Sequence, residues 1–172
     1  MKVLLMNSLD ELFRSEHERL WKSLVAFTGD GDIASEAEAE TFSQAVARGD
    51  ELHDPQAWIW RTAFKVAGGL LADRRMRSSG LSGPQDSALY DTARYNAVPA
   101  ISDGDPQLAS SLSDFLDLLH SLSEQQRTVV VLRYAAGFTP TEIAELLETT
   151  PGTVRVQLHR AHQHLRERIE HS

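Results

Sequence analysis

No cysteine occurs anywhere in these 172 residues. Disulfides, thiolate metal sites and cysteine nucleophiles are therefore excluded, and so is redox sensing through a thiol of this chain. Long apolar runs are missing too. No stretch approaches the roughly 18 residues that a membrane span needs, and Met1-Lys2-Val3-Leu4-Leu5-Met6 is too short for a secretory apolar region, with no small-residue cleavage site after it. A soluble protein resident in the cytoplasm is the expectation. Positive charge is scarce, 17 Lys and Arg against 25 Asp and Glu, and the net charge of −8 argues at first sight against a phosphate partner. With 41% hydrophobic residues, ten glycines and six prolines, the chain is neither collagen-like nor wholly disordered, and its length suits one domain or two small ones.

The positive charge that is present is clustered. Arg61, Lys65, Arg74, Arg75 and Arg77 are opposed only by Asp73 within 61–77, and Arg155, Arg160, Arg166 and Arg168 only by Glu167 within 150–168. Two basic helices thus sit in an acidic chain. Leu9, Leu12, Phe13, Leu20, Trp21, Leu24 and Phe27 recur at helical spacing after a capping box, Ser8-Leu9-Asp10-Glu11, which predicts a first helix opening there. Thr28-Gly29-Asp30-Gly31-Asp32 breaks it, and a second helix follows over 33–48. Asp54-Pro55 supplies an N-cap and a first-turn proline for a third helix reaching Arg77, weakened in its middle by Gly68-Gly69. From Ser78 to about Ser111 the composition turns to Gly, Ser, Pro, Asp and Ala, with Arg94 the one basic residue against Asp86, Asp91, Asp103 and Asp105. This reads as a flexible acidic linker, the alternative being a surface loop with a short helix near Leu89 to Tyr95. Such a linker offers few apolar residues for a fixed interface, so the two flanking units are expected to move relative to each other.

Leu108, Leu112, Phe115, Leu116 and Leu119 begin the second half, and Ser123-Glu124-Gln125-Gln126 is another capping box. Thr128 to Tyr134 has the β-branched composition of a strand, yet the chain offers it no partner strand, so it is assigned as helix. Thr139-Pro140-Thr141-Glu142 opens a short helix to about Leu147, and Thr150-Pro151 opens the last one, whose buried seam is predicted as Val154, Leu158, Ala161, Leu165 and Ile169. A short helix, a tight break at Glu148-Thr149-Thr150 and a longer basic helix make the layout of a helix-turn-helix. At 100° per residue, Gly152, Thr153, Val156, His159, Arg160 and Gln163 lie opposite the seam, with Arg155 at its edge. Gly152 permits close backbone approach, Arg155 and Arg160 suit phosphate or guanine, and an outward Val156 suits a thymine methyl; the plain alternative is a solvated helix with a stray valine.

The run Leu122-Ser123-Glu124-Gln125-Gln126-Arg127-Thr128-Val129-Val130-Val131-Leu132-Arg133-Tyr134, then Gly137-Phe138-Thr139, Glu142-Ile143-Ala144-Glu145-Leu146-Leu147, Gly152-Thr153-Val154-Arg155 and Leu158-His159-Arg160-Ala161, resembles region 4 of bacterial extracytoplasmic-function (ECF) sigma factors. Leu20-Trp21 through Thr28-Gly29-Asp30, Glu40-Thr41-Phe42, Pro55-Gln56-Ala57-Trp58-Ile59 and Asp73-Arg74-Arg75-Met76-Arg77 resemble region 2 of that family. The resemblance implies an all-α chain of two small helical domains: region 2 over 8–77, the linker over 78–107 and region 4 over 108–172. It implies a promoter-specificity subunit whose partners are core RNA polymerase and promoter DNA, with room for an anti-sigma factor, and with no membrane partner, cofactor, metal or small-molecule substrate. Region 4 would read the minus-thirty-five element through Gly152, Thr153, Arg155, Val156, His159 and Arg160. Region 2 would engage the minus-ten region through Trp60, Arg61, Lys65, Arg74, Arg75 and Arg77, and the polymerase clamp through Glu36 and Glu40. Trp58 is expected in the core, with Trp60 available for packing or base stacking.

Departures from the family pattern fall at Ser35-Glu36-Ala37-Glu38-Ala39-Glu40, at Phe64-Lys65, at Glu148 where a glycine is usual, and at Arg155-Val156-Gln157, which loses one cation. A left-handed backbone at Glu148 would strain a non-glycine residue. His159, His162 and His164 lack a carboxylate at ligand spacing, Glu36, Glu38 and Glu40 form no catalytic dyad, and no nucleotide-binding or nucleophile-elbow motif is present, so no enzyme is expected. The alternatives are a free-standing helix-turn-helix regulator and a protein that binds polymerase or an anti-sigma factor without opening promoters.

Overall fold

The computed structural model describes residues 2–80, 102 and 104–171, with side chains from residue 7 onward. Seven α-helices occupy the described residues: α1 (Lys2–Thr28), α2 (Gly31–Arg48), α3 (Pro55–Ser79), α4 (Pro106–His120), α5 (Glu124–Val130), α6 (Pro140–Leu146) and α7 (Pro151–Glu170). A 3-10 turn, Gly49–Glu51, precedes α3, and a π turn, Val131–Ala135, continues α5. No strand occurs among the described residues, in agreement with the all-α expectation. Most of the inferred linker, including the stretch near Leu89 to Tyr95, lies outside them.

The breaks between helices follow from local chemistry. Gly29 ends α1 at φ 70°, a left-handed value that glycine adopts without a Cβ clash, and its amide donates to Val25 O at 2.7 Å. Asp30 then caps α2 by accepting from the amides of Asp32 and Ile33. Asp54 caps α3 through the Ala57 amide, with Pro55 in the first turn. The helix runs unbroken through Gly68-Gly69, and a Cβ at 68 would stand 3.1 Å from Oε1 of the exposed Glu124 side chain. The predicted start of α1 at Ser8 is corrected, because the helix already includes Lys2 and its Ser8 box is interior. No glycine or proline interrupts 2–28, so nothing local forces a start at Ser8.

In the second half Ser123 and Gln126 form the reciprocal capping box, and Thr128 to Tyr134 is helical as assigned. The helix widens at its end, with Ala136 N donating to Val131 O at 3.0 Å, five residues back. Gly137 at φ 81° then turns the chain and sets Phe138 toward α3.

The expected independence of the two halves is corrected by the packing. Leu20, Leu24, Phe27, Ala63 and Ala67 belong to the same apolar cluster as Leu119, Val129, Leu132, Ile143, Val154 and Leu158. The fixed interface is made by the helices themselves, not by the linker. Two seams join the halves. In one, the Trp60 ring meets Phe138 edge-on at 4.9 Å, and the Arg19 guanidinium lies 5.0 Å from both rings while donating to Ala136 O at 3.2 Å. In the other, buried Arg127 lies 5.2 Å over Phe27 with an Nη1 to His120 Nδ1 contact of 3.3 Å, and His120 packs so closely on Gly29 that a Cβ there would sit 2.6 Å from Nε2.

Candidate nucleic-acid interface

The helix-turn-helix is built from its caps. Thr139 Oγ1 accepts from the Glu142 amide at 3.2 Å while the Glu142 carboxylate accepts from the Thr139 amide at 2.7 Å, so two orphan donors at the start of α6 are satisfied reciprocally. After Leu146 the chain turns through Glu148, whose φ of 53° is the one positive value at a non-glycine among the described residues. Thr149 N closes the turn on Ala144 O at 2.9 Å, and Thr150 caps α7 through the Thr153 amide at 3.2 Å. The left-handed Glu148 anticipated from the sequence is therefore present; relative to glycine it costs roughly 1 kcal/mol.

One face of α7 is anchored and the other is bare. Val154, Leu158 and Ala161 are buried and Leu165 is partly buried, holding the helix on α5 and α6. Ile169 is corrected from the predicted seam: it is 61% exposed, one turn beyond where a neighbouring helix supplies contacts. Gly152, Thr153, Arg155, Val156, His159 and Arg160 are all exposed, with Val156 at 48%. A Cβ on Gly152 would find only Thr150 Oγ1, at 3.8 Å, so nothing within the chain requires glycine there. Of the other α7 histidines, His162 Nε2 meets Tyr134 OH at 2.9 Å and His164 is partly buried. The described residues contain no group of three or more His, Asp or Glu arranged to hold a metal.

The basic helix α3 is differently placed. Lys65, Arg75 and Arg77 are exposed, whereas Arg74 is partly covered and ion-paired with the buried Asp30 carboxylate. Arg61 Nε donates to Leu146 O at 2.7 Å, taking one of the free carbonyls at the end of α6, and its Nη1 reaches Glu148 Oε1 at 2.9 Å. Trp60 is corrected from the DNA-facing set. It is 1% exposed, its Nε1 donates to Glu16 Oε2 at 3.0 Å, and it is a core residue between Phe64 and Phe138. Trp58, expected in the core, is partly buried and packs against the core cluster, with Arg48 over its ring at 5.4 Å.

On α2, Glu36 and Glu40 lie one turn apart and exposed, with Glu40 accepting from Gln44. Glu38 points inward, 8% exposed, at 2.8 Å from His17 Nδ1. Burial pushes its carboxyl above the usual carboxylate value, and the His17 hydrogen bond draws it only part of the way back. Arg127 is pulled below the ordinary arginine range by burial, with nearby Arg75 adding to the shift. Sequence reasoning missed Glu16, which gathers Arg19, Gln56 and Trp60 onto one carboxylate. Its partners at 56 and 60 are some forty residues away, and no local spacing announces them.

The family model described as sigma-70, region 4, matches residues 112–165. The ECF RNA polymerase sigma factor SigE of Mycolicibacterium smegmatis is 29% identical over 169 residues, covering 94% of this chain and 62% of that protein. The RNA polymerase sigma factor CarQ of Myxococcus xanthus is 27% identical over 165 residues, covering 94% of this chain and 88% of that protein. The chain thus spans about three fifths of the length of the SigE relative. In fold it is similar to the sigma factor RpoE solved in complex with the anti-sigma factor NepR from Bartonella quintana, with a TM-score of 0.66, 19% identity and coverage of 95% of this chain and 97% of that one. A region 4 match over the helix-turn-helix and relatives aligned along nearly the whole chain make its sequence similar to the ECF RNA polymerase sigma factors, and its all-helical fold is similar to a solved member of that kind.

Proposed function

We propose that this chain is a promoter-specificity subunit that joins core RNA polymerase in the cytoplasm and directs it to promoter DNA. The observation that carries this reading is the bare face of α7, where Gly152, Thr153, Arg155, Val156, His159 and Arg160 stand exposed on a helix held by its opposite side. Such a helix enters a major groove with its first turns at base edges. Arg155 and Arg160 take phosphate or guanine, Val156 takes a thymine methyl, and together they read the minus-thirty-five element. Arg61, Lys65, Arg74, Arg75 and Arg77 serve the phosphates of the minus-ten region. Glu36 and Glu40 form the acidic contact to polymerase. The division into region 2 (8–77), linker (78–107) and region 4 (108–172) belongs to the same reading, as does an anti-sigma factor as a regulatory partner.

Each basic helix alone offers a handful of phosphate contacts on a chain of net charge −8, so free binding is weak and polymerase supplies the tethering that makes two weak contacts act together. The test is transcription from genomic DNA by core polymerase with and without the purified chain, followed by mapping of start sites. New starts sharing upstream boxes are expected. Specific gel-shift binding without polymerase, together with no new starts, would favour a free-standing regulator instead.

A further inference from the structure

The reading face of α7 is bordered by a second strip. Arg155, His159, His162 and Arg166 follow one another at about one turn each and fall within about 60° around the helix axis. All four are exposed, and α7 carries no acidic residue before Glu167. Unlike Arg61 and Arg74 on α3, Arg155 and Arg166 enter no ion pair among the described residues. Val156, Arg160 and Gln163 lie further round, so the strip flanks the base-reading face and shares only Arg155 and His159 with it.

The π turn supplies a neighbour from outside α7. Val131, Leu132 and Ala136 are buried there, whereas the Tyr134 ring stands out, 58% exposed. It is nevertheless held in place. The Arg133 guanidinium lies 5.8 Å over the ring, Arg133 Nη1 donates to Phe138 O at 3.2 Å, and the Tyr134 hydroxyl is 2.9 Å from His162 Nε2. Where Nε2 carries a proton, in the imidazolium or in one neutral tautomer, it donates to the phenolic oxygen and leaves the phenolic O–H to donate outward. An acceptor-only partner such as a phosphate oxygen selects that arrangement. Short π segments recur at functional positions, and this one sets a hydroxyl beside a row of basic side chains.

We propose that Tyr134, His162 and Arg166 extend the row begun by Arg155 and His159 into a phosphate-tracking edge, which holds the backbone of one promoter strand beside the groove that α7 enters. The proposal rests on the promoter-specificity reading above and gives three residues a part which that reading leaves open. From Arg155 to Arg166 the row is about 16 Å long, enough to meet more than one phosphate of a strand. Phosphate contacts fix register and orientation and carry no sequence information. The signature of the edge is therefore lost affinity with base preference intact.

The test uses the full chain with core polymerase, on promoters found by start-site mapping. Tyr134→Phe, His162→Gln and Arg166→Gln are compared with the wild type in promoter titrations over a salt series. Each is expected to weaken the complex about threefold to tenfold, alike on promoters that differ in their minus-thirty-five bases. Arg166→Gln should also reduce the salt slope by about one. Arg168→Gln, on the far side of α7 by the same spacing, should change neither quantity. Wild-type affinity and salt slope in Tyr134→Phe and Arg166→Gln overturn the edge. So does a loss confined to one base position, which would make these residues readers, and so does an equal loss from Arg168→Gln, since diffuse charge would then suffice. If Tyr134→Phe melts below the wild type, the exposed Arg166 decides by the same outcomes. A wild-type chain that gives polymerase no promoter binding removes the parent reading and the edge together, whereas specific binding that none of the three variants weakens removes the edge alone.

Discussion

Helices α3 and α7 carry similar positive charge and open in the same way, with an oxygen-bearing N-cap and a first-turn proline, yet the fold uses them differently. On α7 the buried seam and the basic face are opposite each other, so anchoring leaves the cations in solvent. On α3 both flanks are in use: Ile59, Ala63 and Ala67 pack inward on α1 and α2, and Trp60 and Arg61 meet the helix-turn-helix on the next strip round. A basic helix is a DNA-binding surface only to the extent that its neighbours leave it uncovered, and a count of Arg and Lys does not reveal that.

The comparison breaks most sharply at Trp60. If its role is packing, Trp60→Ala costs about 3–5 kcal/mol of folding stability by chemical denaturation, because a large fully buried ring is removed from the seam. A loss below about 1 kcal/mol would return it to the surface. On the other helix, Arg155→Ala and Arg160→Ala should leave the melting temperature unchanged and each weaken minus-thirty-five binding by about 1–3 kcal/mol, roughly 5- to 150-fold, in promoter-complex titrations. Val156→Ser is expected to change base preference at one minus-thirty-five position without touching stability, as measured by promoter profiling; identical preference at every position would reject a reading role for Val156.

The smallest effect concerns Glu38, the inward member of the α2 acids. Its folded-state value is raised above the ordinary 4.5 by burial, so folding favours the protonated form. The stability it contributes is present below about pH 4.5 and is lost as pH rises through the raised value, which makes the buried charge a cost at neutral pH. Glu38→Gln should therefore stabilise the protein at pH 7 by no more than about 1 kcal/mol, an advantage that shrinks as the pH falls through the raised value and is gone below about 4.5. Melts at pH 7 and pH 4 compare the two regimes.

Much of the candidate site was legible along the chain because its signals are local. Thr139-Pro140-Thr141-Glu142 and Thr150-Pro151 mark the starts of α6 and α7 by hydrogen bonds made within three residues, and the spacing of Val154, Leu158 and Ala161 determines which side of α7 is bare. Thr128 to Tyr134 shows the limit of propensity, since its β-branched residues yield to a helical surrounding that offers no sheet. The Ser8 box shows the converse, a cap-like pattern inside a helix that nothing interrupts.

The sequence by itself thus determined the helices, their caps, the helix-turn-helix and the outward face of its second helix, all of which depend on contacts between residues within about two turns of each other. Only the tertiary structure decided that Trp60 is core, that Glu38 is buried beside His17, that Ile169 falls outside the seam, and that Arg61 closes on a strained Glu148. Those outcomes depend on which helices come to lie side by side. Arg61 and Glu148 are 87 residues apart in the chain, and no periodicity within either helix carries information about the other.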